Sequence, residues 1–294
     1  MKCLESVFQN TRDFELILVD NNSSDRSDVT ATSRFPQITL LSNDRNQGFA
    51  RANNLALRRA RGDWIVLLNP DTVVTPDWLD HMIGTASLLA KVGIVTPKLL
   101  RMDGKTIDST GHVFEFKTGY SNDRGSGEVD VGQYDEEEEV PSCCFACAAI
   151  RREVFGRIGL LDEKMILYFE DVDYCIRARI AGWRVLYSPR SLVFHFRGGT
   201  SSKSPPRWGQ RAVAYRLRIM LKCYTGQNAM KYGAMRIFRD FVSMAAGIKN
   251  NDTGYFLTYF RSPAWNLLNF PFNERKLVQS TRTVSDEALS TPTS

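Results

Sequence analysis

Three carboxylates crowd one turn of the chain: Glu170, Asp171 and Asp173 in "YFEDVDYCIRARIAGWRVLYSP". Acids opening a helix are favoured by its macrodipole, and that alone would account for generic acids there. Crowding behind the aromatic pair Tyr168 and Phe169 adds a second effect. Partial burial and like-charge repulsion both raise a carboxyl pKa, which suits a general base. Three further polar clusters each follow an apolar, strand-like run. "VDNNSSD" carries Asp20, Asn21, Asn22 and Asp25, whose acids can accept from a base N–H or a ribose hydroxyl. "NDRNQGFARANN" carries Asn46, Gly48 and Arg51: a glycine that permits close backbone approach, a helix start suited to phosphate, and a fixed cation. "LLNPDT" puts Asn69 and Asp71 just past a strand, where an acid can hold a divalent ion against a diphosphate. Taken singly, each cluster also reads as an ordinary turn or helix entry. Their order along successive strand ends is what carries weight. His195, in "VFHFRGG", lies between the acidic helix start and a glycine-rich loop, so metal ligation and a structural role are both open to it. His81 and His112 read as structural.

Such side chains need strand ends to present them. Apolar, β-prone runs at 14–20, 38–42, 64–69 and 93–97 alternate with amphipathic helical text at 49–60 and after Thr75-Pro76-Asp77. There Thr75 reads as the N-cap and Pro76 as the first helical residue. The alternation predicts an α/β fold, with a largely parallel sheet between helices and ligands gathered beyond the carboxyl ends of the strands. Residues 101–140 lack periodicity and are rich in Gly, Asp and Glu, so turns and a mobile acidic loop are expected. "RVLYSP" and "SLVFHF" read as two more short strands. The Gly/Ser/Pro run "GGTSSKSPP" marks a boundary, after which the text is basic and helical. The expected domains are 1–202, a basic helical region 203–280 and a flexible tail 281–294.

The chain has 294 residues, 43 % hydrophobic and 24 % charged, as in a soluble globular protein that needs no disulfide staples. Six cysteines without a secretory signal favour a reducing, cytoplasmic setting. Cys144-Phe-Ala-Cys147 lies in an apolar run with no second pair, so it reads as buried strand. No apolar run is long enough to span a bilayer. The net charge of +5 is uneven: 203–282 holds fourteen Lys/Arg against three Asp/Glu, whereas 128–139 holds seven acids and no base. The basic part suits an anionic partner, either a membrane surface or a lipid-linked pyrophosphate, with "AYRLRIMLKCYTG" as the interface. A solvated helical surface is the alternative. No nucleic-acid motif is present, so no nucleic-acid partner is expected.

"VDNNSSD", "NQGFARANN", "LLNPDT" and "LLDEKMILYFEDVDYCIRARIAGWRVLYSP…VFH", in that order, resemble the bacterial family-2 inverting glycosyltransferases of GT-A fold, in the rhamnosyltransferase-like branch. The resemblance implies a Rossmann-like mixed, mainly parallel sheet flanked by helices, with a C-terminal helical extension. It also implies a nucleotide-diphosphate-sugar donor, a divalent Mg or Mn ion, and a glycan or polyprenyl-linked acceptor. By position, Asp20, Asn22 and Asp25 would line the nucleoside. Asn46, Gly48 and Arg51 would approach base and diphosphate, and Asn69 and Asp71 stand at the family's D-x-D. Asp71 and His195 would hold the metal, Asp171 would be the general base, and Asp173 would orient hydroxyls. The implied activity is sugar transfer, rhamnose-like, with inversion, in cell-envelope polysaccharide synthesis. The chain departs from the family in two ways. The apolar first strand that family members carry ahead of the helix at Lys2 is not found, which implies an open sheet edge and a second reading, a donor-binding remnant without catalysis. Phe145 stands where many relatives have Gly, near the acceptor.

Overall fold

The computed structural model describes residues 1–9, 13–197 and 206–289, with the backbone alone at 206–210. The expected boundary run is therefore largely outside the described residues. Strands β1 (Ile17–Asp20) and β2 (Thr39–Ser42) pair in parallel as a two-stranded sheet. A seven-stranded sheet follows the order β3 (Trp64–Leu68), β10 (Cys147–Arg151), β5 (Val92–Arg101), β11 (Arg184–His195), β4 (Thr72–Val74). Two short strands, β6 (Ile107–Ser109) and β9 (Glu138–Glu139), pair with β5 and β11 respectively. The sheet is mixed. β5 and β11 run parallel, whereas β10 runs against both β3 and β5. β1 and β3 share no ladder among the described residues, so each leaves one edge unpaired, as the sequence led one to expect. Glu15 bridges the two sheets at their base, its carboxylate accepting from the Arg61 and Gly62 N–H groups.

Alternating strand residues feed two cores. Ile94, Val185 and Tyr187 face helices α3 (Phe49–Leu57), α5 (Arg152–Ile158) and α6 (Glu170–Ile180). Val95, Leu99 and Leu186 face α1 (Lys2–Val7) and α4 (Trp78–Ala86). This is the period-two signature of a sheet covered on both sides. A third core joins α6 to the C-terminal helices α7 (Pro206–Cys223), α8 (Gly226–Lys249), α9 (Thr253–Leu268) and α10 (Phe272–Thr281).

Four expectations change. α4 starts two residues late: Asp77, left-handed at φ 61°, is its N-cap, because the Thr75 hydroxyl instead donates to the Leu192 carbonyl. The two short strands merge into β11, whose register slips between Ser188 and Leu192. The acidic stretch is pinned, not loose: Lys98 holds Asp130 and Asp135, Arg124 pairs with Glu138, and Arg184 with Glu139. Its neighbourhood also forms a hairpin of β7 (His112–Glu115) and β8 (Tyr120–Asp123). Part of the expected tail docks as well. Leu289 is buried, Arg179 donates to the Leu289 and Ala288 carbonyls, and Asp286 accepts from Thr225 and Asn228. Residues 290–294 lie outside the described residues.

Candidate active site

The polar clusters collect beyond the strand ends. At the end of β1 the Asp20 carboxylate accepts from the Ser23 N–H at 3.1 Å, and Asp25 accepts from the Ser27 N–H as α2 (Ser27–Arg34) begins. Asn22 is exposed and left-handed at φ 66°. Asn21 is the hub. Its amide donates to Asn46 Oδ1 at 2.9 Å, and its own Oδ1 accepts from the Asn43 amide and the Gln47 N–H. Asn46 Oδ1 also accepts from the Gly48 N–H. Gly48 has φ 83°, and a Cβ there would lie 2.5 Å from Ile166 Cγ2 and 2.6 Å from its carbonyl oxygen, so only glycine fits. The next residue, Phe49, donates its N–H to that same carbonyl. Arg51 does not stand free for a diphosphate: its Nε lies 3.2 Å from Glu163, which also holds Arg58. Asn69 ties the following turn through its carbonyl, which accepts from the Thr72 hydroxyl at 2.7 Å.

Asp71 and His195 face each other across the β4–β11 pair, with Asp71 Oδ1 3.5 Å from His195 Nε2. Apart from that imidazole, this buried oxygen has no hydrogen-bond partner among the described residues. On the other side His195 Nδ1 meets Asp108 Oδ2 at 2.7 Å. Asp108 accepts from Arg197 at 2.9 Å, and Arg197 reaches on to Asp123, also at 2.9 Å. His112 Nε2 lies 3.3 Å from Asp123, and its Nδ1 lies 2.9 Å from the Ser142 hydroxyl. Burial alone would lower the His195 pKa, but Asp108 and Asp71 outweigh it and push it up to about 9. His112 is likewise raised against its burial, by Asp123 and then Asp171.

Asp171 is reached through His112. It opens α6 behind Tyr168 and Phe169, both left-handed at φ 70° and 66°. Burial raises its pKa and the field of His112 opposes that. Asp123 adds repulsion, and the crowding read from the sequence shows at the neighbouring Glu170, which burial and then Asp171 and Asp173 raise. The Val172 N–H donates to Asp171 Oδ1 at 2.7 Å, and the backbone of Phe145 also lowers its pKa. The Phe145 ring is buried in the core against Tyr174. Glu170 is buried with its Oε2 unpartnered among the described residues, and burial followed by Asp171 raises its pKa well above the usual carboxylate range.

Asp173 is not part of this network. It is fully buried between Arg177 at 2.8 Å and Lys222 at 2.6 Å, so the expected hydroxyl-orienting role gives way to a structural one. His112, expected to be structural, is buried between Ser142 and Asp123 at the end of this network. Asp108, Asp123 and Arg197 were missed. They come from the aperiodic stretch and from the residue just past His195-Phe196, and only the adjacency of Arg197 to His195 offered a signal.

Residues 1–159 match the model of Glycosyl transferase family 2. The chain belongs to glycosyltransferase family 2. It is 27 % identical over 221 residues to the N-acetylglucosaminyl-diphospho-decaprenol L-rhamnosyltransferase of Mycobacterium tuberculosis, covering 66 % of this chain and 70 % of that protein. It is 30 % identical over 203 residues to the O-antigen biosynthesis protein RfbC of Myxococcus xanthus, but spans only 16 % of that protein. The crystal structure of GalNAc-T7 with UDP, GalNAc and Mn2+ aligns with a TM-score of 0.65 at 15 % identity, over 98 % of this chain and 52 % of that one. At that identity the likeness shows the fold alone, a GT-A-like glycosyltransferase sheet. Within this family-2 domain no group of three or more His, Cys, Asp or Glu residues is preassembled as a metal cage among the described residues. Asp71 and His195 remain as a pair whose facing atoms could share one cation, and the orphaned Asp71 oxygen fits that use.

Proposed function

We propose that this family-2 chain transfers a sugar, rhamnose-like, from a nucleoside-diphosphate donor to a hydroxyl of a glycan or polyprenyl-linked acceptor, with inversion, in cell-envelope polysaccharide synthesis. One observation carries the reading. A continuous polar path runs from Asp71 through His195, Asp108, Arg197 and Asp123 to His112, whose field reaches Asp171. It supports a common setting for Asp71 and His195, the proposed metal holders, and Asp171, the proposed base. Asp171 takes the acceptor's hydroxyl proton while that oxygen bonds the anomeric carbon, and the bond from this carbon to the diphosphate breaks with its electron pair leaving on the nucleotide. Asp20, Asn22 and Asp25 line the nucleoside, and Asn46, Gly48 and Asn69 shape the approach to the diphosphate. Asp71 and His195 would hold a Mg or Mn ion, which when bound supplies positive charge to the leaving diphosphate. His112 and Asp123 hold the proton inventory around Asp171. The name of the Mycobacterium tuberculosis relative supports a rhamnosyl donor and a polyprenyl-diphosphate acceptor. That acceptor class would bring a cytoplasmic enzyme to the inner face of its membrane.

The test is a panel of nucleotide sugars assayed for free nucleoside diphosphate, with and without acceptor, on the wild type and on Asp171→Asn. The variant should bind donor and fail to turn over, and a wild-type rate would overturn the assignment. One observation favours a second reading, donor binding without transfer: among the described residues β1 and β3 each leave an edge unpaired, β1 at the strand that ends in Asp20. Donor bound with no nucleotide released by the wild type would select it.

A further inference from the structure

The two helices α8 and α9 are built inside out. A soluble helix turns its apolar stripe to the core and its polar stripe to water. On α8 the residues packed inward are Ala229, Gly233, Arg236, Asp240 and Gly247. Arg236 pairs with Asp240, and Asp240 accepts from the buried Ser262 hydroxyl of α9 at 2.9 Å. A Cβ at Gly247 would come within 2.8 Å of the Phe256 backbone, so small residues let the two helices pack closely. The outward stripe of α8 is Met230, Ala234, Phe238, Phe241, Ala245 and Ile248, at helical spacing; Met230 is 73 %, Phe238 68 % and Ile248 66 % exposed. On α9 Phe260, Leu267 and Leu268 are exposed while Ser262 and Asn266 are buried. Small and polar residues inside with large apolar ones outside is the arrangement of helices that meet lipid.

The charges choose among occupants. The exposed charged residues of the two helices are Lys231, Arg239, Lys249 and Arg261. Asp240 is buried, and Asp252, between the helices, caps α9 by accepting from the Tyr255 N–H. A second copy of this face would set cations against cations. An anionic bilayer surface complements both the charge and the apolar stripe. No helix among the described residues is long and apolar enough to cross a membrane, so the contact lies in the plane of the interface. We infer that the α8–α9 hairpin is an interfacial anchor that seats the protein on an anionic lipid surface. The "AYRLRIMLKCYTG" segment does not do this, because Tyr215, Leu217, Arg218, Ile219, Met220 and Lys222 are buried. The inference deepens the membrane contact proposed above and rests on that reading for its purpose alone, since lipid binding requires neither donor nor acceptor.

The experiment is flotation of the full chain with vesicles of phosphatidylcholine alone or mixed with phosphatidylglycerol, for the wild type and for Phe238→Ser/Phe241→Ser/Leu267→Ser/Leu268→Ser. The wild type should float with the anionic vesicles, less with the neutral ones and less in high salt. The variant, exposed at every changed position, should keep its circular dichroism and melting temperature and lose at least roughly tenfold in partitioning. If the variant unfolds, Lys231→Glu/Arg239→Glu replaces it and should remove the preference for anionic vesicles. Wild type that fails to float at low salt, variants that float unchanged, or a dimer dissolved by the substitutions without vesicle binding would each overturn the inference. Transfer to a water-soluble acceptor, measured in parallel, keeps the two readings separate. Flotation without turnover leaves the anchor standing and removes the catalytic reading, and turnover without flotation does the reverse.

Discussion

Two networks of charge lie on either side of α6, and they are built to opposite specifications. Behind the helix, Asp162 holds Arg218 at 2.7 Å and Lys222 at 2.6 Å, and Lys222 with Arg177 closes on Asp173. All five side chains are buried, and each carboxylate is matched by cations. In front of the helix, Asp71 keeps an orphan oxygen and Asp171 carries a raised pKa. The first set is matched in charge, three cations to two carboxylates, although Asp173 Oδ1 meets Lys222 as an ion pair without an aligned hydrogen bond and Asp162, Arg177 and Lys222 border a small open cavity. The second is short of partners, and a deficit held in place by the fold is what a substrate or cation can fill.

The largest effect should come from changing Asp171, the proposed base. Asp171→Asn should cost about 10²- to 10⁴-fold in kcat with donor affinity retained, as read by nucleotide release and by donor titration. Removing a member of the charge-matched set should act on stability instead. Asp173→Ala leaves Arg177 buried without its anion and Lys222 with Asp162 alone, and should cost about 3–5 kcal/mol in denaturant unfolding. If Asp173→Ala were to lower turnover without lowering stability, the distinction between the networks would fail. A smaller change is expected of His112→Gln. Loss of its positive field should raise the Asp171 pKa further and move the acidic limb of the rate profile to higher pH, by about one unit or less. For the wild type the sign is fixed by the base: Asp171 acts deprotonated, so kcat/KM falls as pH falls, with a midpoint above the ordinary carboxylate value of about 3.9. The smallest effect near neutrality is on stability. The cations around Asp162 outweigh its burial and hold its folded pKa well below the unfolded value. Its contribution is therefore complete above about pH 4–5 and lost as pH falls through the folded pKa, so melting temperatures from neutral to mildly acid solution should not register it.

The strand ends were legible because β-prone runs and their trailing polar residues are local patterns. β1, β2, α3 and β3 appear within a few residues of where periodicity puts them. The acids of α6 were legible as a cluster, but their division of labour was not. Which face of α6 is taken up by ion pairs depends on α7, and nothing near Asp173 in the sequence announces Lys222. Likewise the stretch 101–140 hides its strands because ion pairs from distant lysine and arginine residues hold it, and no short-range period records them. The exposed stripe on α8 is periodic in the sequence, yet its direction is not. Periodicity tells which residues share a side, and only the packing partner tells which side is in.

Gly48 bears on one more matter. The loop that follows β2 and the loop that leads into α6 touch at a single backbone bond, from Phe49 to Ile166, with no room for a methyl group between them. The two segments are thus riveted. A displacement of the first would therefore strain its contact with the second, the ribbon that ends in Tyr168 and Phe169 ahead of Glu170 and Asp171.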